Sequence, residues 1–237
     1  MTLIKSVSGI RGTIGGKQGE NLTPIDVVMF TTAFVQLIQR KLNKRNLTIV
    51  VGRDARISGK QVLNLVLGTL SGMGANAVNI GLATTPTTEI AVTEEEADGG
   101  IILTASHNPK QWNALKLLDN KGEFLSAEDG AELLNIIDQE FEKIEYADID
   151  HIGKISNKDY LQRHIELISE NKFVDLESIH NANFKVVVDA VNSVGGIAVP
   201  ALLKALGVNN IIELYCEPNG DFPHNPEPLP ENLGMIS

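Results

Sequence analysis

The sequence predicts an α/β fold, a mixed and mostly parallel sheet sandwiched by helices, complete in a first unit and partial in a second. Three observations carry this expectation. Helical and strand-like patterns alternate along the chain. The predicted helices open on capping residues or a glycine pair. The predicted strands are short apolar runs, and one ends in a small polar loop of the kind that binds ligands in open α/β sheets.

The elements follow in order. Thr23-Pro24-Ile25-Asp26 opens a helix, with a capping threonine and proline at the first helical position. Val27, Phe30, Phe34, Ile38 and Leu42 then recur at helical spacing. Leu47 to Val51 reads as a buried strand. Ser58 and Gln61 form a capping-box pair ahead of Val62, Val66, Leu70 and Met73, and Gly72 and Gly74 end that helix. Ala77 to Ile80, Ile101 to Thr104 and Asn113 to Leu118 read as strands, and Glu94-Glu95-Glu96 as a solvated helix end. Ser126 begins a long helix through Leu133, Ile137 and Phe141. The stretch from Glu145 to Asn157 is polar and irregular, and the boundary between units 1–150 and 151–237 is placed there.

The second unit reads as a helix from about Ser156 to Asn171, a strand Lys185 to Asp189, a helix after Gly195-Gly196 and a strand Asn210 to Leu214. The tail from Glu217 to Pro230 carries five prolines, which excludes regular helix and central strand. A two-stranded parallel sheet is a poor independent domain, so the second unit is expected to be incomplete; the alternative is that it extends the first sheet.

Composition narrows the functional classes. The chain has 237 residues, 43% hydrophobic and 21% charged, as globular proteins do. A formal net charge of −10 argues against nucleic acid as a partner, though local arginines can still bind a phosphate. No run of about 18 apolar residues suggests a membrane span, and Met1 to Lys5 does not begin a secretory signal. The single cysteine, Cys216, excludes an intrachain disulfide and fits a reducing, cytoplasmic setting.

The most informative segment runs from Gly99 to Pro109. An apolar strand passes into Thr104-Ala105-Ser106-His107-Asn108-Pro109, which puts Ser106, His107 and Asn108 at the carboxyl end of a strand. A serine hydroxyl needs activation to act as a nucleophile; once phosphorylated it becomes a donor that needs cations and hydrogen-bond donors nearby. Arg11, among Gly9, Gly12, Gly15 and Gly16, reads either as part of a flexible turn or as a phosphate clamp. Lys116 reads either as a solvated charge on an edge strand or as a proton carrier, if burial or neighbours lower its pKa. Arg53 and Asp54 read as an architectural ion pair. Trp112 is expected to pack rather than stack on a sugar. Asp148-Ile149-Asp150-His151 resembles a metal cluster by composition but reads better as a solvated acidic stretch. The glycines lack the Gly-Lys-Ser/Thr ending of a Walker loop and the full dinucleotide fingerprint.

Thr104 to Pro109 is identical to the phosphoserine signature of the α-D-phosphohexomutases. Four more segments resemble that family in order: Ser8-Gly9-Ile10-Arg11-Gly12, Gly52-Arg53-Asp54-Ala55-Arg56 with Ser58, Asn113-Ala114-Leu115-Lys116, and Pro218-Asn219-Gly220-Asp221-Phe222-Pro223. Ala114 departs from the glycine usual there. The resemblance implies an isomerase of carbohydrate metabolism that moves phosphate between the 1- and 6-positions of a glucose, mannose or glucosamine phosphate. Ser106 would carry the phosphoryl group, Lys116 would act as base or acid, and His107 would support the phosphate. Arg11 and Asn108 would bind phosphate or substrate. The implied helpers are magnesium, ligated by Ser106 through its phosphate, and a hexose 1,6-bisphosphate activator. The family's Asp-Gly-Asp-x-Asp-Arg metal loop does not occur in this sequence, so the chain is expected to be an inactive fragment prone to self-association. The rival readings are a sugar-phosphate-binding module without the metal loop, and a serine hydrolase, for which the Gly-x-Ser-x-Gly elbow is missing.

Overall fold

The computed structural model of the chain describes residues 1–6 and 9–234; Ser8, first residue of the arginine-loop motif, lies outside them. The order is β1 (Ile4–Ser6), β2 (Gly9–Thr13), α1 (Pro24–Leu42), β3 (Thr48–Arg53), α2 (Gly59–Gly72), β4 (Asn76–Leu82), α3 (Thr85–Glu94), β5 (Gly99–Leu103), β6 (Trp112–Leu118) and α4 (Ala127–Asn135). Then come β7 (Ile155–Asn157), α5 (Leu161–Ser169), α6 (Leu176–Asn181), β8 (Lys185–Asp189), α7 (Gly195–Ala205) and β9 (Asn210–Leu214).

Seven strands form one sheet in the order β1-β2-β6-β5-β3-β4-β7, and β8 and β9 form a second. The half of the large sheet from β5 to β7 is parallel, as is the β8–β9 pair, whereas β1, β2, β6 and β5 pair antiparallel. Strand residues alternate between two cores, one on each face, because successive side chains of a strand point to opposite sides. Ile49, Val51, Ile101, Leu103, Leu115 and Leu117 pack with α1, α2 and α4 through residues such as Phe30, Phe34, Val66 and Leu133. Val50, Ile102 and Leu118 pack on the other face with Ala91 and Val92 of α3. The sandwich predicted from alternating patterns is therefore present.

The caps explain where helices begin. Thr23 and Asp26 form a reciprocal capping box at α1, and Ser126 and Asp129 do so at α4. Ser58 does not cap α2 as expected: its backbone is already helical, and its hydroxyl accepts from Asn113 Nδ2 at 2.9 Å. The helix end read at Glu94-Glu95-Glu96 is the end of α3; its start goes unread, although Thr84 caps it with Pro86 in its first turn, a signal like that at α1. The helix begun at Ser126 is regular to Asn135 and continues as a wide π turn over Ile136–Glu140.

The stretch read as irregular is not wholly so, since Ile155–Asn157 adds a parallel edge strand beside β4. The following helix is shorter than expected, and α6 is an addition to the expected elements. α5 docks on α3: His164 Nδ1 lies 2.9 Å from Thr87 Oγ1, and Arg163 pairs with Glu94 at 3.0 Å. Among the described residues, no helix is long and apolar enough to cross a membrane.

Phe34 is fully buried between α1 and the sheet. Phe34→Ala should lower the free energy of unfolding by about 3–5 kcal/mol, read as a lower urea midpoint by circular dichroism.

Candidate active site

β5 leaves the sheet at Leu103, and the chain crosses to β6 through residues 104–111. Thr104 ties the start of this loop down. Its hydroxyl donates to Asp54 Oδ2 at 2.6 Å and accepts from the Ser106 amide at 3.0 Å. Ser106 itself is exposed and left-handed, with φ +51°, a conformation that costs a non-glycine residue energy unless its surroundings impose it.

The residue that imposes it is Arg56. Its side chain is fully buried, and its guanidinium makes five hydrogen bonds. Nε donates to Asp54 Oδ2 at 3.1 Å. The two terminal nitrogens donate to the carbonyls of Ser106 (2.9 Å), Asn108 (2.7 Å), Pro109 (2.8 Å) and Trp112 (2.9 Å). The ion pair expected between Arg53 and Asp54 is thus an Asp54–Arg56 pair; Arg53 donates instead to the Asp54 carbonyl at 2.9 Å, and its Nε is buried without a partner. Burial pushes the Asp54 carboxyl up and the Arg56 guanidinium down, each opposed by the other's charge. The guanidinium nevertheless keeps its proton, as arginine does in proteins.

Lys116 closes the site from β6. That strand lies between β2 and β5, not at an edge, and Lys116 stands opposite Ile102. Facing residues of an antiparallel pair share a face, so the lysine points to the side covered by α3. Its Nζ donates to Ser106 Oγ at 2.9 Å and lies 5.7 Å from the centre of the Phe124 ring. Burial lowers its pKa below the ordinary lysine value; Glu89 and Asp54 pull it back up, and Arg11 pushes it down. Glu89, on α3, is in turn held above its ordinary value by burial, opposed by Lys116.

The other predicted residues fall around this pair. Arg11, on β2, is exposed and registers with Ala114 of β6. Gly9, at the start of β2, has φ +115°, and a Cβ there would sit 2.2 Å from the Leu115 carbonyl oxygen, so glycine is required for β2 to approach β6 so closely. His107 is exposed on the loop. Asn108 is half-buried, with Oδ1 buried and unpartnered, and its backbone carbonyl belongs to Arg56. Trp112 likewise contributes a backbone carbonyl to Arg56. His151 pairs with Asp148 on an exposed turn far in sequence from the loop, as a solvated stretch would.

The donor set does not by itself fit a magnesium ion. Magnesium wants oxygen ligands, usually one or two carboxylates with phosphate oxygens. Asp54, the acid bonded to Thr104, is spent on Arg56, and the described residues hold no group of three potential metal-binding side chains.

The fold keeps an ionised Lys116 at a cost that is present in full below its folded pKa and lifts as pH rises from there toward the unfolded value. In this setting Glu89→Gln removes the charge that most raises that pKa. The Lys116 midpoint should therefore fall further below the ordinary value of about 10.4, measured by NMR titration of the lysine side-chain signals.

Comparison with known proteins bears on the family and the fold. Residues 3–144 match the phosphoglucomutase/phosphomannomutase α/β/α domain I, and residues 162–237 match domain II. A Thermococcus kodakarensis protein named phosphoglucomutase/phosphomannomutase is 36% identical over 227 residues, 94% of this chain and 48% of its own length. A Methanopyrus kandleri protein named "Probable phosphoglucosamine mutase" is 33% identical over 228 residues, 95% of this chain and 46% of its own. The crystal structure of a candidate phosphomannomutase from Thermus thermophilus matches all of this chain and 51% of its own, with a TM-score of 0.82 and 25% identity. The chain spans about half the length of these relatives. With both domain models matched in order and the serine loop built as described, the chain belongs to the phosphoglucomutase/phosphomannomutase family, the α-D-phosphohexomutases.

Proposed function

We propose that this chain supplies the phosphoserine half of a phosphohexomutase, with Ser106 as phosphoryl carrier and Lys116 as its proton carrier. The observation that carries this reading is the 2.9 Å hydrogen bond from Lys116 Nζ to Ser106 Oγ, made by a half-buried lysine with a lowered pKa. A lysine whose pKa is lowered releases its proton more readily than an ordinary one, and so can accept a proton and return it. The hydroxyl oxygen of a hexose monophosphate attacks the phosphorus of phosphorylated Ser106. The new sugar O–P bond forms as the Oγ–P bond breaks. Lys116 takes the proton of the sugar hydroxyl and gives it to Oγ. The resulting hexose 1,6-bisphosphate, turned end for end, returns its other phosphate to Oγ by the reverse steps. Arg11, exposed on β2 and near enough for its charge to act on Lys116, and His107, exposed next to the serine in the loop, would hold phosphate oxygens, and Asn108 would position the loop that presents them.

The relatives' names include glucose, mannose and glucosamine enzymes, and a hexose phosphate of that group is the proposed substrate. Magnesium would be a cofactor of the complete enzyme, meeting the phosphate on Ser106 and carboxylates that the described residues do not gather. The chain alone should not turn over substrate. The second unit exposes Phe173, Phe184 and Val187, which supports the proposal that it self-associates.

Two experiments test this. Incubating the chain or the complete protein with a hexose 1,6-bisphosphate, followed by peptide mass mapping, should place phosphate on Ser106. Phosphate found only elsewhere, or labelling of Ser106 by an acyl-directed serine probe instead, would overturn the assignment. In the complete enzyme, Lys116→Met should cut turnover by about 10²–10⁴ while substrate still binds. Near-normal turnover would show that Lys116 carries no proton.

A further inference from the structure

We infer that Arg56 is a positioning residue through which the second unit sets the conformation of the serine loop. The inference deepens the reading of Ser106 as phosphoryl carrier and takes its functional meaning from that reading, but it rests on separate contacts.

The first part is the guanidinium itself. Arginine has five N–H donors, all in one plane. Here the plane is filled by Asp54 and four loop carbonyls. The directions left are the two flat faces, and the Phe222 ring takes one, with its centre 5.1 Å from the guanidinium carbon. Phe222 belongs to the proline-rich loop after β9, in the second unit. The bond network that fixes Ser106 in its left-handed state is therefore completed by a residue more than a hundred positions away.

The second part is how firmly that loop is seated. Gly220 has φ +77°, and a Cβ there would lie 2.1 Å from the Ala55 carbonyl oxygen, so the loop backbone rests directly on the turn that carries Arg56. The Ala55 amide donates to Ser193 Oγ at 3.4 Å. Lys110 of the serine loop approaches Asp221 at 4.0 Å. The seat is built in advance at the carboxyl ends of β8 and β9. Val191, Asn192 and Tyr215 are all left-handed there, and for β-branched Val191 that is a strained state. Asn192 holds the loop through its carbonyl to the Gly220 amide (2.9 Å) and its Nδ2 to the Asp221 carbonyl (2.9 Å). Asp189 fixes the tail through His224 Nε2 at 2.8 Å. Strain concentrated at the end of one sheet thus places an aromatic ring over a buried charge in the other domain.

The test uses the unphosphorylated chain and requires no turnover, so its failure leaves the mutase reading untouched. The absence of phosphate on Ser106 would likewise leave this coupling untouched. Hydrogen exchange is followed at the Ser106, Asn108 and Trp112 amides, which bond within the loop, and at α1 amides as a reference. Phe222→Ala should speed loop exchange by about tenfold and leave α1 unchanged, because only local opening is affected. Phe222→Tyr keeps the ring and should behave as the parent. Arg56→Lys, with no fork and no flat face, should speed loop exchange by about a hundredfold. If that variant does not fold, the two Phe222 variants decide alone. Loop exchange unchanged in Phe222→Ala would overturn the inference, as would equal acceleration of α1 or a Phe222→Tyr variant that behaves as Phe222→Ala does.

Discussion

The site hangs on one buried guanidinium. Taking a charged group out of water costs several kcal/mol even after relaxation, and the cost is offset only when partners saturate it. Arg56 is saturated by a carboxylate and four backbone carbonyls, all but the first from the segment that bears Ser106. The dependence runs both ways. Without the loop the guanidinium would keep Asp54 as its one partner among these five; without the guanidinium four carbonyls would lose their donors, and Ser106 would lose the support for its positive φ. A lysine at position 56 would keep the charge but not the planar fork, so the geometry, more than the charge, makes arginine necessary.

The sheet supplies the second constraint. Ser106 and Lys116 are ten residues apart, and the antiparallel β5–β6 pair brings them back together, with Leu103 opposite Leu115 and Ile102 opposite Lys116. Because facing residues share a side, the lysine emerges on the face covered by α3, where burial and Glu89 act on it in opposite directions. A lysine on an edge strand would be solvated and keep its ordinary pKa. Its interior place between β2 and β5 makes the same residue a structural part of the sheet and a lysine whose pKa burial lowers.

Beyond β7, the two domains meet through particular side-chain and loop contacts rather than through a shared sheet. β7 extends the first sheet, while β8 and β9 form their own, and the strained ends of the latter aim the proline-rich loop at the Arg56 turn. Positive-φ residues at Ser106, Val191, Asn192 and Tyr215 therefore belong to one connected region, and local strain collects where the serine loop is held in place.

The sequence by itself determined the α/β alternation, most strand positions, the caps at Thr23 and Ser126, and the serine loop, because these depend on local periodicity, capping chemistry and a contiguous hexapeptide. It also brought forward Lys116 and Arg11 by motif. Only the tertiary structure decided which acid pairs with which arginine. Arg53 and Arg56 flank Asp54 in the same short turn, and nothing local separates them; their difference lies in carbonyls about fifty residues downstream. It likewise decided that Ser58 serves Asn113 instead of capping its helix, that part of the polar stretch before α5 becomes β7, and that Lys116 lies inside the sheet. Each of these is set by partners distant in sequence, whose hydrogen bonds and burial no local pattern encodes.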